Sequence, residues 1–223
     1  MTNDYIVRYD ELKELSACRD GLAAFRKHFP NGGAYQEILN FCCDKGRVDY
    51  AMWLLETFGG NEEVTVINNN VLAKNLTMVY AGNIEFKSSV NVHRIVSMGY
   101  VLVNHQLTLA RGIQVAGTIL AGFGITSQGS IVSSKGSILV EDGSIMCSED
   151  IYAGGSINAS QSIIASRQIR ANCDISCGEG YGIYAGIRVH RANKHQYGTI
   201  KSACRPVGIV CGHWYQENGM ETR

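Results

Sequence analysis

Proline is nearly absent from this chain, with two among 223 residues against about one in twenty in an average protein. This scarcity excludes proline-rich linkers and collagen-like repeats. The 45% share of hydrophobic residues also excludes low-complexity disorder. We therefore expect a folded chain that is long enough to bury a sizeable core, as one domain or two.

An excess of charge of one sign is also lacking. Twenty basic residues balance twenty acidic ones, the formal net charge is zero, and neither sign forms a run. Nucleic acids and anionic membrane surfaces attract proteins through a basic excess. We therefore expect no nucleic acid and no membrane among the partners, and we expect recognition through apolar contact with a protein.

Long hydrophobic runs are missing as well. Residues 1–5 show neither the basic nor the apolar region of a secretory leader, and no stretch of eighteen apolar residues occurs. The sequence therefore predicts a cytoplasmic protein. Eight cysteines in such a chain indicate reduced thiols rather than the disulfide framework of a small secreted domain.

Residues 1–62 are predicted to form a helical head of about three short helices. Apolar residues at helical spacing and glycine stop signals define them. The first follows Ser16 and carries Leu22, Phe25 and Phe29; the second carries Tyr35, Ile38, Leu39 and Cys42 and ends before Gly46; the third runs from about Val48 to Phe58 and ends at Gly59. Segments 17–22 and 49–55 resemble the helical leader of uncharacterised phage and prophage proteins. That resemblance implies a protein that binds and inhibits a host factor, such as a defence component.

A six-residue repeat fills most of residues 63–223. Fourteen positions recur at this spacing, and all are isoleucine except Val101 and Leu107; the spacing slips by one residue near 137 and near 144. The positions are 95, 101, 107, 113, 119, 125, 131, 138, 145, 151, 157, 163, 169 and 175, with a fainter continuation before them at Val66, Leu72, Met78, Ile84 and Val90 and after them at Ile183, Val189 and Ile200. The residue two places after each is small or apolar, and turn residues such as Gly-Ser follow.

Residues two apart in a strand point to the same side, so each repeat predicts a very short strand with two inward side chains and then a corner. Three repeats per turn stack equivalent residues about 4.8 Å apart. The fold class is therefore mainly β: a three-faced parallel β-helix of about seven turns with a small N-terminal α-helical domain. Tyr80 and Phe86 indicate a cap beneath the helices, and the 190–198 insertion followed by Trp214 indicates a C-terminal cap.

Two hexapeptide solenoids compete for this pattern. Acyltransferase-type left-handed helices place the small residue two positions before the aliphatic one, whereas here it follows two positions after. The Ile-x-Ala rhythm with polar corners over residues 64–190 resembles the bactofilins, bacterial polymer-forming cytoskeletal proteins. That resemblance implies a right-handed coil and self-assembly. The helical head, and the missing basic or apolar membrane-targeting leader, depart from that family and put polymerisation in doubt.

The middle residue of each strand points to solvent, and a period of three repeats sorts these residues into three rows. The first row contains Leu102, Leu120 and Leu139, and the second contains Met146, Ile164 and Tyr184. A bare apolar stripe is rare on a monomer. These six residues are the candidate interaction surface, and two alternatives stay open: the helical head folds back on the leucines, or a second copy or another protein covers them.

Candidate catalytic and metal-binding residues are few. Neither Cys173 with Cys177 nor Cys204 with Cys211 and His213 has the spacing of a structural zinc site. Cys147 and Cys177 occupy inward small-residue positions. The Glu141-Asp142 and Glu149-Asp150 pairs lie at successive corners, and we expect Glu149 to pair with Arg167 in the next turn. We therefore expect a non-enzymatic scaffold without cofactor or metal, with a carbohydrate-active or acyltransfer solenoid enzyme as a further alternative.

Overall fold

The computed structural model describes residues 5–188 and 198–217. It consists of a parallel β-solenoid of about eight turns, preceded by a small region of four helices. The predicted fold class is therefore confirmed, with about one turn and one helix more than the repeat and the stop signals indicate. The right-handed coil implied by the resemblance stays a prediction.

Four helices form the head. They are Tyr9–Glu14 (α1), Arg19–His28 (α2), Tyr35–Asp44 (α3) and Val48–Phe58 (α4), and a two-stranded antiparallel ribbon of Ile6–Val7 (β1) and Gly33–Ala34 (β2) joins the start of the head to the start of α3. The second and third predicted helices match α3 and α4. Gly46 and Gly59 follow them with φ of 70° and 76°, positive values that favour glycine at the end of a helix.

The start of α2 differs from the prediction. Cys18, and not Ser16, is its N-cap, because the Cys18 Sγ accepts a hydrogen bond from the Gly21 N–H at 3.4 Å. Ser16 instead adopts a left-handed backbone with φ of 62° between α1 and α2. Helix α1 is only six residues long, which is too short to leave a clear periodic pattern in the sequence.

Three faces make up the solenoid, and each strand pairs in parallel with the strands one turn below and above, except at the ends of the ladders, where it pairs on one side. Face 1 contains Val64–Ile67 (β3), Asn83–Phe86 (β5), Val101–Val103 (β7), Ile119–Ala121 (β9), Ile138–Val140 (β12), Ile157–Ala159 (β15) and Ile175–Ser176 (β18). Three long strands, Val71–Tyr80 (β4), Val90–Ser97 (β6) and Gln106–Val115 (β8), bend from face 2 into face 3.

Later turns divide these two faces into separate strands. Face 2 continues with Gly124–Ser127 (β10), Ile145–Cys147 (β13), Ile163–Ala165 (β16), Ile183–Ala185 (β19) and Ile209–Cys211 (β21). Face 3 continues with Ile131–Ser133 (β11), Ile151–Ala153 (β14), Ile169–Ala171 (β17), Thr199–Ser202 (β20) and His213–Gln216 (β22). The two prolines, Pro30 and Pro206, lie outside the strands, so neither removes a donor from a ladder.

The core is the column of inward side chains. All fourteen repeat positions from Ile95 to Ile175 are at most 3% exposed, which confirms the predicted phase. The two slips do not break the column, because Ile119 pairs with Ile138 and Ile125 pairs with Ile145. The extra residues lie in the corners.

The first turn is out of phase with the prediction by one residue. Thr65 pairs with the inward Ile84, and Val71 pairs with the inward Val90. The predicted repeat positions Val66 and Leu72 therefore point outward, and Leu72 is 71% exposed. A one-residue shift moves every side chain of a strand to the opposite side, so the predicted inward positions are wrong for β3 and for the start of β4.

The helical head packs on face 3 at the first turns. Val79, Ala81 and Val96 are buried together with the helix residues of the head, in a cluster separate from the solenoid core. Gln36 on α3 fastens this contact: its Nε2 donates to the Val79 carbonyl at 2.8 Å, and its Oε1 accepts from the Ala81 N–H at 3.0 Å. Tyr80 is buried in the solenoid core beneath these contacts, as the predicted cap requires.

At the C-terminal end, Trp214 packs against the solenoid core, and its Nε1 donates to the Ser202 hydroxyl at 3.0 Å. Most of the predicted 190–198 insertion, and Val189, lie outside the described residues. Within residues 5–188 and 198–217, no helix is both long enough and apolar enough to cross a lipid bilayer.

Candidate interaction surface

The three leucines predicted to form a stripe lie directly above one another on face 1. Leu102 pairs with Leu120, and Leu120 pairs with Leu139, on strands β7, β9 and β12. Each is half-buried, between two fully buried residues of its own strand. Parallel strands lie about 4.8 Å apart, so the three side chains form a continuous apolar row about 10 Å long. We call Leu102, Leu120 and Leu139 the leucine row.

The helical head does not fold back on the leucine row. Its cluster reaches the solenoid through Val79, Ala81 and Val96, on or beside face 3, whereas the leucine row is on face 1. Of the two coverings that the sequence leaves open for the leucines, the head and a partner, the head lies on another face. The reason is that β4 and β6 also present outward valines, at positions 79 and 96, nearer to the helices along the chain.

Polar residues flank the leucine row at both ends. Glu85 pairs with Leu102 on one side, and Asn158 followed by Ser176 continues from Leu139 on the other. The Glu85 carboxylate accepts hydrogen bonds from the Lys87 Nζ at 2.6 Å and from the Tyr100 hydroxyl at 2.9 Å. These two donors, Lys87 first, hold the pKa of Glu85 below its usual value, so Glu85 is ionised at neutral pH and forms an ion pair with Lys87 at this end of the row.

The other three predicted residues lie on face 2. Met146 pairs with Ile164, and Ile164 pairs with Tyr184. Met146 is 45% exposed, and Ile164 and Tyr184 are half-buried. A corner of the coil separates this second row from the leucine row, so the structure places the six predicted residues in two patches and not in one.

One exposed aromatic residue at the corner beside the leucine row is missed by the sequence analysis. Phe123 follows β9 and is 52% exposed, and its ring centroid lies 5.4 Å from that of His105, one turn earlier. The sequence feature that could have revealed Phe123 is an aromatic residue at a corner position where the other turns carry small or polar residues.

The candidate chemical groups serve packing and turn structure. The Cys147 thiol is buried and contacts the carbonyl oxygens of Gly129 and Asp150 at 3.2 and 3.3 Å, and burial raises its pKa to about 11. Arg167 pairs with Asp150 at 3.4 Å, while Glu149 accepts from the Ser130 hydroxyl at 2.8 Å. The expected partner of Arg167 was therefore the wrong one of two adjacent carboxylates.

Within the described part of the chain, the cysteines form neither disulfides nor a metal cluster. All eight lie within the described residues, and no disulfide joins them. Among the residues that the structure describes, no three or more His, Cys, Asp or Glu side chains lie close enough together to hold a metal ion. The 173/177 and 204/211/213 groupings of the sequence are thus not assembled into such a site.

Comparison with known proteins identifies the head alone. Residues 1–59 match the family model described as the YdhT N-terminal domain, a range that ends one residue after α4. No curated protein and no solved structure matches the chain. The chain is therefore similar to the YdhT N-terminal domain family over its helical head.

Proposed function

We propose that this protein is a non-enzymatic scaffold that self-associates through face 1 of its solenoid. The observation that carries the proposal is the leucine row, which is stacked over three consecutive turns while the head occupies a different face. Burying three leucines against an apolar surface contributes at most several kcal/mol, at roughly 25 cal/mol per Å². The leucine row is straight and lies on a flat face, so its shape is complementary to the same row on a second copy.

The outward residues of face 1 favour an antiparallel dimer. In order along the coil they are Glu85, Leu102, Leu120, Leu139 and Asn158. A two-fold axis at Leu120 places Leu102 against the second copy's Leu139 and Glu85 against its Asn158. The Asn158 Oδ1 already accepts from the Ser176 hydroxyl at 2.7 Å, which leaves the amide N–H groups to donate to the Glu85 carboxylate.

A parallel dimer is less favourable. A two-fold axis along the coil would place each Glu85, already paired with Lys87, opposite the second copy's Glu85, where neither carboxylate gains a hydrogen-bond donor. The antiparallel arrangement avoids this, and it is isologous and closed. We therefore propose a discrete dimer and not the filament that the bactofilin resemblance implies.

Sedimentation velocity over about 1–100 µM, the range of weak interfaces, tests the dimer. The wild type should sediment as a dimer at the upper end, and Leu120→Asp should remain a monomer with unchanged circular dichroism. Thr126→Asp is the matched control, because Thr126 is the outward residue of face 2 one strand after Leu120 and should leave the dimer intact. A wild-type monomer throughout, or equal dissociation in both variants, contradicts the proposal.

A second candidate function is a phage or prophage protein that binds and inhibits a host protein. It is supported by the resemblance of the head to phage-type leaders and by the separate apolar patch of Met146, Ile164 and Tyr184 on face 2. If the protein has this second function, Ile164→Asp should no longer capture a partner from bacterial lysate, while the dimer should persist. Capture that is unchanged by Ile164→Asp would rule out face 2 as the binding surface.

A further inference from the structure

The helical head contains a cleft of about 450 Å³. It lies between α2 on one side and α3 with α4 on the other. Its floor is apolar, with Leu12, Phe25, Ile38 and Leu54 each at most 6% exposed. Small-molecule sites have volumes of about 300–1,000 Å³ with mostly apolar walls, so the cleft has the size and lining of a ligand site.

Side chains bridge the cleft at both ends of α2. At one end the Cys18 Sγ lies 3.7 Å from the Tyr50 hydroxyl. At the other end the rings of His28 and Phe29 contact that of Phe41, with centroid distances of 4.5 and 5.3 Å. Helix α2 between these bridges has ten residues and spans about 15 Å at 1.5 Å per residue. A slot closed at both ends does not accommodate a protein helix, which is about 10 Å wide and has to continue past the groove.

The rim of the cleft carries cations. Lys45 and Arg47 line it beside Asp49 and Tyr50. Arg47 pairs with Asp49 through two hydrogen bonds, of 3.1 and 3.2 Å, and its guanidinium lies 3.5 Å from the Tyr50 ring centroid. Both charged side chains are exposed, at 46% and 62%, so a ligand anion can approach Arg47 from solvent beside Asp49. Lys45 lies 5.7 Å above the Phe41 ring and adds a second positive charge.

We propose that this cleft binds a small amphiphile with one anionic group and an apolar body of about 15 Å, such as a medium-chain carboxylate. The apolar body lies along the floor between the two bridged ends. The anionic group lies at the rim beside Arg47 and Lys45. The site is in the head and does not depend on the dimer proposed for face 1.

Fluorescence quenching tests the cleft directly, because Trp53 lines it and the second tryptophan, Trp214, lies in the last strand of the solenoid. In a Trp214→Phe background, 11-bromoundecanoate should quench Trp53 saturably below its micellar concentration. The uncharged 11-bromoundecanol should bind several-fold more weakly. Arg47→Gln should remove most of that difference, because it removes one of the charges that selects the carboxylate.

Adjacent alanines on α2 supply the steric control. Ala24 lines the cleft, so Ala24→Phe should abolish saturable quenching. Ala23 is exposed and outside the cleft lining, so Ala23→Phe should bind as the parent does. If Ala24→Phe does not fold, the proposal is tested by Arg47→Gln alone, through the ratio of its affinities for the acid and for the alcohol. Absence of saturable quenching, quenching that is equal for acid and alcohol, or full binding by a folded Ala24→Phe overturns the proposal.

Discussion

Gln36 on α3 bonds to the backbone of Val79 at the start of the solenoid, with its Nε2 donating to the Val79 carbonyl at 2.8 Å. The Oε1 of the same side chain accepts from the Ala81 N–H at 3.0 Å. Strand β4 pairs with β6 on one side, and α3 thus supplies side-chain partners on the other. An unpaired strand edge invites another chain, so α3 terminates the coil here.

Gln36→Ala should weaken the junction between the head and the solenoid. Val79 and Ala81 are fully buried, and the substitution leaves a carbonyl and an N–H without their partner. Each such group costs about 1–3 kcal/mol, so we expect the free energy of unfolding in urea to fall by about 2 kcal/mol or more. Glu37→Ala, at the exposed neighbouring position, should change it by less than about 0.5 kcal/mol. Equal losses in the two variants would show that Gln36 acts only through helix formation.

Alkaline pH should lower the free energy of unfolding before the buried thiols of Cys42 and Cys147 ionise in the folded state. Burial raises the pKa of Cys42 and of Cys147 from 9.0 to about 11, so between these values the unfolded chain releases protons that the folded chain retains. The free energy of unfolding therefore falls as pH rises from about 9 to about 11. Chemical denaturation at a series of pH values measures the slope.

Cys147→Ser isolates one of these thiols. Ser127 occupies the equivalent position one turn earlier, and its hydroxyl bonds to the same Gly129 carbonyl at 2.6 Å, so serine suits this position. The variant should lose part of the alkaline slope, on the order of 2 kcal/mol between pH 9 and 11, and retain its stability near neutral pH. An unchanged slope would show that Cys147 does not contribute to it.

Adjacent residues of β13 should differ sharply in their contribution to stability. Ile145 is fully buried and Met146 is 45% exposed. Ile145→Ala removes core packing and should cost about 2–5 kcal/mol, whereas Met146→Ala should cost less than about 1 kcal/mol. Urea denaturation of both variants measures the difference. Similar losses of stability would show that the inward and outward sides of this strand are assigned wrongly.

The repeat determines the solenoid from the sequence alone wherever its period is regular. From Ile95 to Ile175 every repeat position is buried, and the three outward rows follow from counting three repeats per turn. The same count fails in the first turn, because Val71 pairs with Val90, nineteen residues later, while Met78 pairs with Ile95, seventeen later. When the number of residues per turn varies, different residues point inward, and no residue pattern in the sequence indicates the change.

Contacts between the head and the solenoid could not be predicted from local patterns. Gln36 is an ordinary polar position on an amphipathic helix, and its partners Val79 and Ala81 are more than forty residues away. The sequence pattern favoured the leucine row on face 1 as the place for the head. The choice of face 3 depends on the bend of β4 beneath α3, which is a three-dimensional property.

The central claim, that face 1 forms an antiparallel dimer, is most directly tested by disulfide cross-linking. Exposed Cys18, Cys173 and Cys204 are first replaced by serine, and single cysteines are then introduced on the leucine row. Under mild oxidation Leu120→Cys should form a covalent dimer, and a mixture of Leu102→Cys with Leu139→Cys should cross-link far more than either variant alone. Cross-linking of Leu102→Cys with itself, or none at Leu120→Cys, would contradict the account.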